Sequence, residues 1–173
     1  MKALTLTQPW ATLVAIGAKR IETRSFRVSY RGPLAIHAAK GFPTSVQDSV
    51  RYDMRFFSEL NPSYAAHIVR SGMKLPPTSI AFETLAKLPR GAVIATCKLV
   101  DCREIIAAVY PRMPDGEFLL LGNRIIPPPP PELYFGDYSP GRYAWMLEDI
   151  HMLSEPIPAR GALGLWEWDT GTV

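Results

Sequence analysis

The sequence is short of most residues that announce a particular chemistry. It holds two cysteines in 173 residues, Cys97 and Cys102, too few for a disulfide framework in a chain of this length. On one regular strand their offset of five points them to opposite faces, and both are expected as reduced core residues. The three histidines, His37, His67 and His151, fall at no spacing that makes a zinc site. No metal and no cofactor is expected. No Ser-His-Asp set and no phosphate-cradling glycine loop stands out. No apolar run approaches the about 20 residues of a membrane span. Thr5, Thr7 and Gln8 interrupt the N-terminus before any signal-peptide layout can form. With no internal repeat either, the expectation is a soluble, cytoplasmic protein with no membrane partner.

What is present fits a packed globular chain. At 47% hydrophobic and 20% charged residues it has the composition of a folded protein, and its length suits one domain over residues 1–173. The net charge of +3 is unevenly spread. Between Lys19 and Lys40 there are six cations (Lys19, Arg20, Arg24, Arg27, Arg31, Lys40) and one acid, Glu22. From Asp115 to the end there are nine acids and three arginines. The basic N-terminal third suits an anionic partner, nucleic acid first. The competing reading is a solvated basic face balanced in space by the acidic half.

The pattern predicts a helix over about 8–16, with Pro9 in its first turn and Gly17 at its end. Residues 19–24 alternate as a strand, and "YRGPLAIHAAK" is a second strand. Residues 44–60 recur at helical spacing through Val46, Val50, Met54, Phe57 and Leu60, with Thr44 and Gln47 fitting a capping box. Two further helices are expected, over Tyr64–Arg70 ahead of Gly72 and over Ser79–Leu88. Together they make a helical insertion at about 44–88, ahead of the strand "GAVIATCKLVDC". The run Pro127–Pro131 is stiff and extended; it is read as a connector, or as a ligand for a proline-recognising protein partner. "RYAWMLEDIHML" and "GLWEW" close the chain as strands. Short strands with one helical insertion suggest an α+β fold, a small β-barrel with peripheral helices.

The densest chemistry lies in "TLTQPWATLVAIGAKRIETRSF", where a helix stops at Gly17 and charge begins at once. Lys19 can meet a phosphate as a point charge or simply sit solvated at a helix end. Glu22 can accept from a base amino group or an attacking water, or serve as a salt-bridge partner of Arg24 and Lys19. Arg24 can fork an anion or hold Glu22. Trp10, one helix upstream, can stack a base. Arg142 and Tyr143 follow a glycine turn at a strand mouth. Arg27, Arg31 and Lys40 complete the candidate nucleic-acid contacts. His37, Trp145, Trp166 and Trp168 read first as core residues.

The blocks "QPWATLVAIGAKRIETRS", "YRGPLAIHAAK", "LPRGAVIATCKLVDC", "GDYSPGRYAWMLEDI" and "PIPARGALGLWEW" together resemble the ASCH domain family. Its G-x-K-x-x-E-x-R signature stands here as Gly17, Lys19, Glu22 and Arg24. The resemblance implies a PUA-like barrel with a cleft beside the first helix, lined by that signature. It implies nucleic-acid binding, of RNA or a modified nucleotide. The alternative it carries is a metal-independent hydrolase of RNA or of acylated cytidine nucleosides, with Lys19 and Glu22 catalytic. In the amidohydrolase branch the position of Glu22 is a threonine nucleophile. Here Thr23 is one residue along, which on a regular strand is the opposite face. A covalent route is therefore not expected, and Glu22 would act as a general base on water.

Overall fold

The computed structural model describes residues 1–106, 120–121, 124–125, 128 and 130–169. Strand β1 (Lys2–Leu6) leads to helix α1 (Trp10–Ala15), β2 (Ile21–Arg24) and β3 (Gly32–Ala38). Four helices follow: α2 (Thr44–Arg51), α3 (Met54–Leu60), α4 (Pro62–Ser71) and α5 (Thr78–Ala86). The chain returns through β4 (Ala92–Ile105), β5 (Leu120–Leu121), β6 (Arg124–Ile125), a 3-10 turn (Glu132–Phe135), β7 (Tyr143–Pro158) and β8 (Leu165–Glu167). No helix among the described residues is long and apolar enough to cross a membrane.

The architecture is mixed α+β. The sheet has the order β2-β7-β4-β3-β1-β8, with the β5–β6 hairpin attached to β4 through β6. β1 runs parallel to β3, while β3–β4, β4–β7, β2–β7 and β1–β8 are antiparallel. Among the described residues the path is open at β2 and β8, so strand pairing does not close it into the expected barrel. The sheet is nonetheless strongly curled. Arg24 on β2 donates from Nη2 to the carbonyl of Thr5 on β1 at 3.1 Å. Those strands are four places apart in the order, which at about 4.8 Å per strand is about 19 Å in a flat sheet. An arginine side chain cannot span that gap.

The bulges responsible for such bending also overturn one expectation. Pairing of β4 with β7 shifts register between Val93 and Ala95, Thr96 and Lys98, and Leu99 and Asp101. The last shift lies between the two cysteines. One extra residue reverses the alternation of faces, so Cys97 and Cys102 are both buried in the same core cluster. Both are free thiols, and burial pushes Cys97 up to about 12.

β1 was not anticipated as a strand, although it lies between β3 and β8 with Ala3, Leu4 and Leu6 buried. The predicted helix over 44–60 is two helices. Asp53 breaks it by capping α3, its carboxylate accepting from the Arg55 N–H at 2.9 Å. The expected capping box is not formed: the α2 cap residue is Pro43, and Gln47 instead donates to the Phe42 carbonyl at 2.8 Å. α4 and α5 fall within a residue or two of expectation. Of the proline run, Pro127 and Pro129 lie outside the described residues, while Pro130 and Pro131 lead into the 3-10 turn.

α1 divides the core. Ala11, Val14 and Ala15 pack on the curled sheet. Leu13 and Trp10 face the other way, towards Val50, Phe56, Leu85 and Phe135. The inserted helices thus bury apolar surface against the outer side of α1 and buttress the region where the charged segment begins.

Candidate functional site

α1 ends as the sequence requires. Gly17 takes φ +79°, a left-handed conformation that costs glycine little, and its N–H bonds to the Val14 carbonyl at 2.9 Å. The chain then enters β2 with Lys19 turned inward. Lys19 is 1% exposed. Its ammonium donates to the Ile21 carbonyl and lies 3.5 Å from Glu22 Oε2. The other Glu22 oxygen is 3.1 Å from Arg24 Nε, an ion pair without an aligned hydrogen bond. Arg24 goes on to Thr5, as above. Lys19, Glu22, Arg24 and Thr5 therefore form one chain of charge and hydrogen bonds through the interior of the curl. A carboxylate held between two cations has its desolvation offset by both partners.

Glu22 also faces a pocket of about 360 Å³, where it is joined by Thr23, Trp10, Tyr134, Phe135, Gly136 and Asp137. Glu22 and Thr23 are neighbours on β2, yet both line it. β2 is an edge strand, and a pocket at an edge is reached from both faces, which undoes the opposite-face argument for setting Thr23 aside. The Thr23 hydroxyl oxygen accepts from the Asp137 N–H at 3.1 Å, leaving its own proton to donate.

The far wall comes from the segment after the proline run, which sequence reading treated as a connector. It is fastened by Glu132, a buried acid not singled out beforehand. Its carboxylate accepts from the backbone N–H groups of Arg20 at 2.8 Å and Ile21 at 3.0 Å, satisfying donors at the exposed edge of β2. The Tyr138 hydroxyl also donates to it at 3.3 Å, and burial, then the nearby Glu132 carboxylate, raises the phenol well above its ordinary value. Gly136 has to be small: a Cβ there would lie 2.7 Å from the Tyr138 ring and 3.1 Å from Thr23 Cγ2.

The pocket is aromatic and acidic. Trp10 meets Phe56 edge-on at 6.0 Å, and Phe56 meets Phe135 at 5.2 Å. Arg55 of α3 stacks over the Tyr134 ring at 4.6 Å. Asp137 is held below the usual carboxylate range, chiefly by the Ser139 hydroxyl and N–H, with Arg142 adding to it. Both carboxylates are already paired with cations, Glu22 with Lys19 and Arg24 and Asp137 with Arg142, and lone pairs left on their oxygens can accept from a ring bearing an amino group. The volume is at the low end of the about 300–1,000 Å³ of small-molecule sites.

The remaining candidates are scattered around this site. Arg142 joins it from outside, with Nε 3.3 Å from Asp137 Oδ2 and Nη2 donating to the Thr23 carbonyl at 3.3 Å. Tyr143 is partly buried against the main core. Arg27 is exposed. Arg31 pairs with Asp101 at 3.4 Å and donates to the Val28 and Tyr30 carbonyls. Lys40 lines a different pocket with His37. Trp145 is fully buried and donates to the Phe26 carbonyl at 3.3 Å. Trp166 donates to Thr5 Oγ1 at 3.1 Å, and Trp168 is buried. Of the aromatics named from the sequence, Trp10 lines the acidic pocket.

The family model of the ASCH domain aligns with residues 4–154 of the 173. The comparison with curated proteins gives no match.

Proposed function

The chain belongs to the ASCH domain family, a PUA-like RNA-binding domain family, and from that premise we propose that it binds single-stranded RNA by taking one unpaired, amino-bearing base into the pocket beside Trp10. The observation that carries the reading is the pairing of aromatic walls with two carboxylates, Glu22 and Asp137, and no cation among the described lining residues. An exocyclic amino group of cytosine, adenine or guanine would donate to those acceptors while the ring packs on Trp10 and Tyr134. Lys19 and Arg24 do not touch RNA in this account. They hold Glu22 in place, so the family signature builds the acceptor rather than the anion contact. Arg142, beside Asp137 and Thr23, borders the pocket, and it and the exposed Arg27 supply phosphate contacts in this reading. We read the curled sheet as a PUA-like barrel whose ends are joined by Arg24, and residues 1–173 as one domain with its helical insertion supporting the pocket.

The test is fluorescence anisotropy with short single-stranded RNA. Trp10→Ala should weaken binding by about 1–3 kcal/mol, the range for a lost base stack. Arg27→Ala should lower the slope of log K against log salt by about 0.7. RNA binding indifferent to Trp10→Ala would remove the base pocket from the account.

One observation favours a second reading, hydrolysis of RNA or of an acylated cytidine. The Glu22 carboxylate and the Thr23 hydroxyl share one pocket wall. In that reading Lys19 orients Glu22 through their ion pair, Glu22 takes the proton of an attacking water whose oxygen bonds to the acyl carbon or the phosphorus, and protonated Glu22 returns that proton to the leaving amine or alkoxide as the amide or phosphodiester bond breaks. Purified protein with acylated cytidine, or with RNA oligonucleotides, would show turnover lost in Glu22→Gln. No turnover above a mock purification ends this reading and leaves the binding module.

A further inference from the structure

A cavity larger than the acidic one lies elsewhere among the described residues. It has a volume of about 940 Å³ and lies where the C-terminal ends of β1, β3 and β7 meet the start of β4. Three cations line it: Lys40, Arg90 and Arg160. All three are exposed, and none has an acidic partner among the described residues. Its described lining contains no carboxylate. Three cations without a described acidic partner therefore surround one concavity. The floor adds a second feature. His37 is 1% exposed; Nε2 lies 3.1 Å from the Ala159 carbonyl and Nδ1 is buried without a hydrogen bond. Gly161 covers that ring edge so closely that a Cβ would sit 2.6 Å from Nδ1 and 2.8 Å from Thr5 Oγ1.

We propose that this cavity is a phosphate site for a nucleotide carrying at least two negative charges. Three unneutralised cations around one concavity focus potential on its interior and favour a multiply charged anion over a single charge. Two arginines can fork phosphoryl oxygens, and Lys40 adds a point charge. The small residues Ala39, Gly91 and Ala162 let an anion approach the backbone. The charge count is met by a terminal phosphomonoester or by two successive phosphodiesters of a strand, and these two sources can be told apart. Burial lowers the His37 imidazole below its ordinary value, and an anion beside it would draw a proton onto Nδ1. The site is separate from the base pocket and does not depend on it.

Inorganic pyrophosphate is the first probe, because it has no base to enter the acidic pocket. Isothermal titration calorimetry at low salt should give one site. Arg90→Ala and Arg160→Ala, both exposed positions, should each weaken it at least about tenfold, with circular dichroism checking the fold. Trp10→Ala should leave pyrophosphate affinity unchanged. His37 ring resonances in NMR should move on titration in wild type and stay still in the double arginine variant. Adenosine monophosphate and a trinucleotide without terminal phosphates then separate the sources: binding of the former alone indicates a terminal phosphate, and of the latter alone successive diesters. Absence of pyrophosphate binding, or affinity unchanged in the double variant, overturns the proposal.

Discussion

Replacing Lys19 with methionine separates a structural lysine from a ligand-binding one. Methionine keeps most of the aliphatic stem and removes the ammonium. What is lost is the bond to the Ile21 carbonyl and the partner 3.5 Å from Glu22 Oε2. Breaking a buried pair from one side costs about 3–5 kcal/mol, because the remaining charge is left in the interior. Arg24 stays 3.1 Å from the other Glu22 oxygen, which places the cost near the low end, about 3 kcal/mol. For a chain of this size each kcal/mol moves the melting temperature by about 2–4 °C, so Lys19→Met should melt roughly 6–12 °C below wild type. Adding Glu22→Gln should recover part of that loss, since the uncompensated carboxylate is then gone. Differential scanning calorimetry measures the shifts, and RNA anisotropy on the same proteins measures binding. The slope of affinity against salt should be unchanged in Lys19→Met, because its ammonium faces the core. A variant that melts like wild type but loses about 0.7 from the salt slope would refute the placement of Lys19.

Gly136→Ala should destabilise by about 1–3 kcal/mol, the range for forcing volume into a packed site, because the new methyl meets the Tyr138 ring; base binding should fall with it, read by anisotropy below the melting range. His37 gives a pH signature. Burial lowers its folded pKa, outweighing its bond to Ala159, so the unfolded chain, with a histidine near 6.5, takes up the proton first as pH falls. Stability therefore declines below about pH 6.5 and levels off once the folded imidazole titrates. His37→Gln should flatten this part of a melting-temperature series between pH 7 and 5. The lowered carboxyl groups of Asp53, Asp101 and Asp137 act separately, their contribution being lost as pH falls below the ordinary carboxylate range.

The parts of this molecule that are local in sequence were legible. Gly17 and Gly72 end α1 and α4 as expected, and α4 and α5 were placed to within two residues, although α2 and α3 were read as one helix. What failed was parity over distance. A bulge between Leu99 and Asp101 put Cys97 and Cys102 on one face, and alternation alone does not reveal a bulge. The edge position of β2 let Glu22 and Thr23 line one pocket, and a strand's place in the sheet order is a property of the whole chain. In the charged segment the salt-bridge alternative for Glu22, with Arg24 and Lys19, is the arrangement found, whereas a solvated Lys19 at a helix end is not. Lys19 points inward because Ile21 and Glu22 give it partners there, a fact set by the curl. The second wall was missed because "ELYFGDYSPG" follows a proline run and carries no periodicity. Its first acid, Glu132, gains meaning only from the Arg20 and Ile21 N–H groups more than a hundred residues away.

The central claim is that carboxylates at the Trp10 pocket read an amino group on one base. The direct measurement is the affinity of two single-stranded RNAs that differ at one position, cytidine in one and uridine in the other, against wild type and Glu22→Gln. A hydrogen bond to a charged acceptor is worth about 1.5–3 kcal/mol, so wild type should prefer cytidine by about tenfold or more, and Glu22→Gln should lose most of that preference. Equal affinity for the two RNAs in wild type, with both bound, would contradict the account.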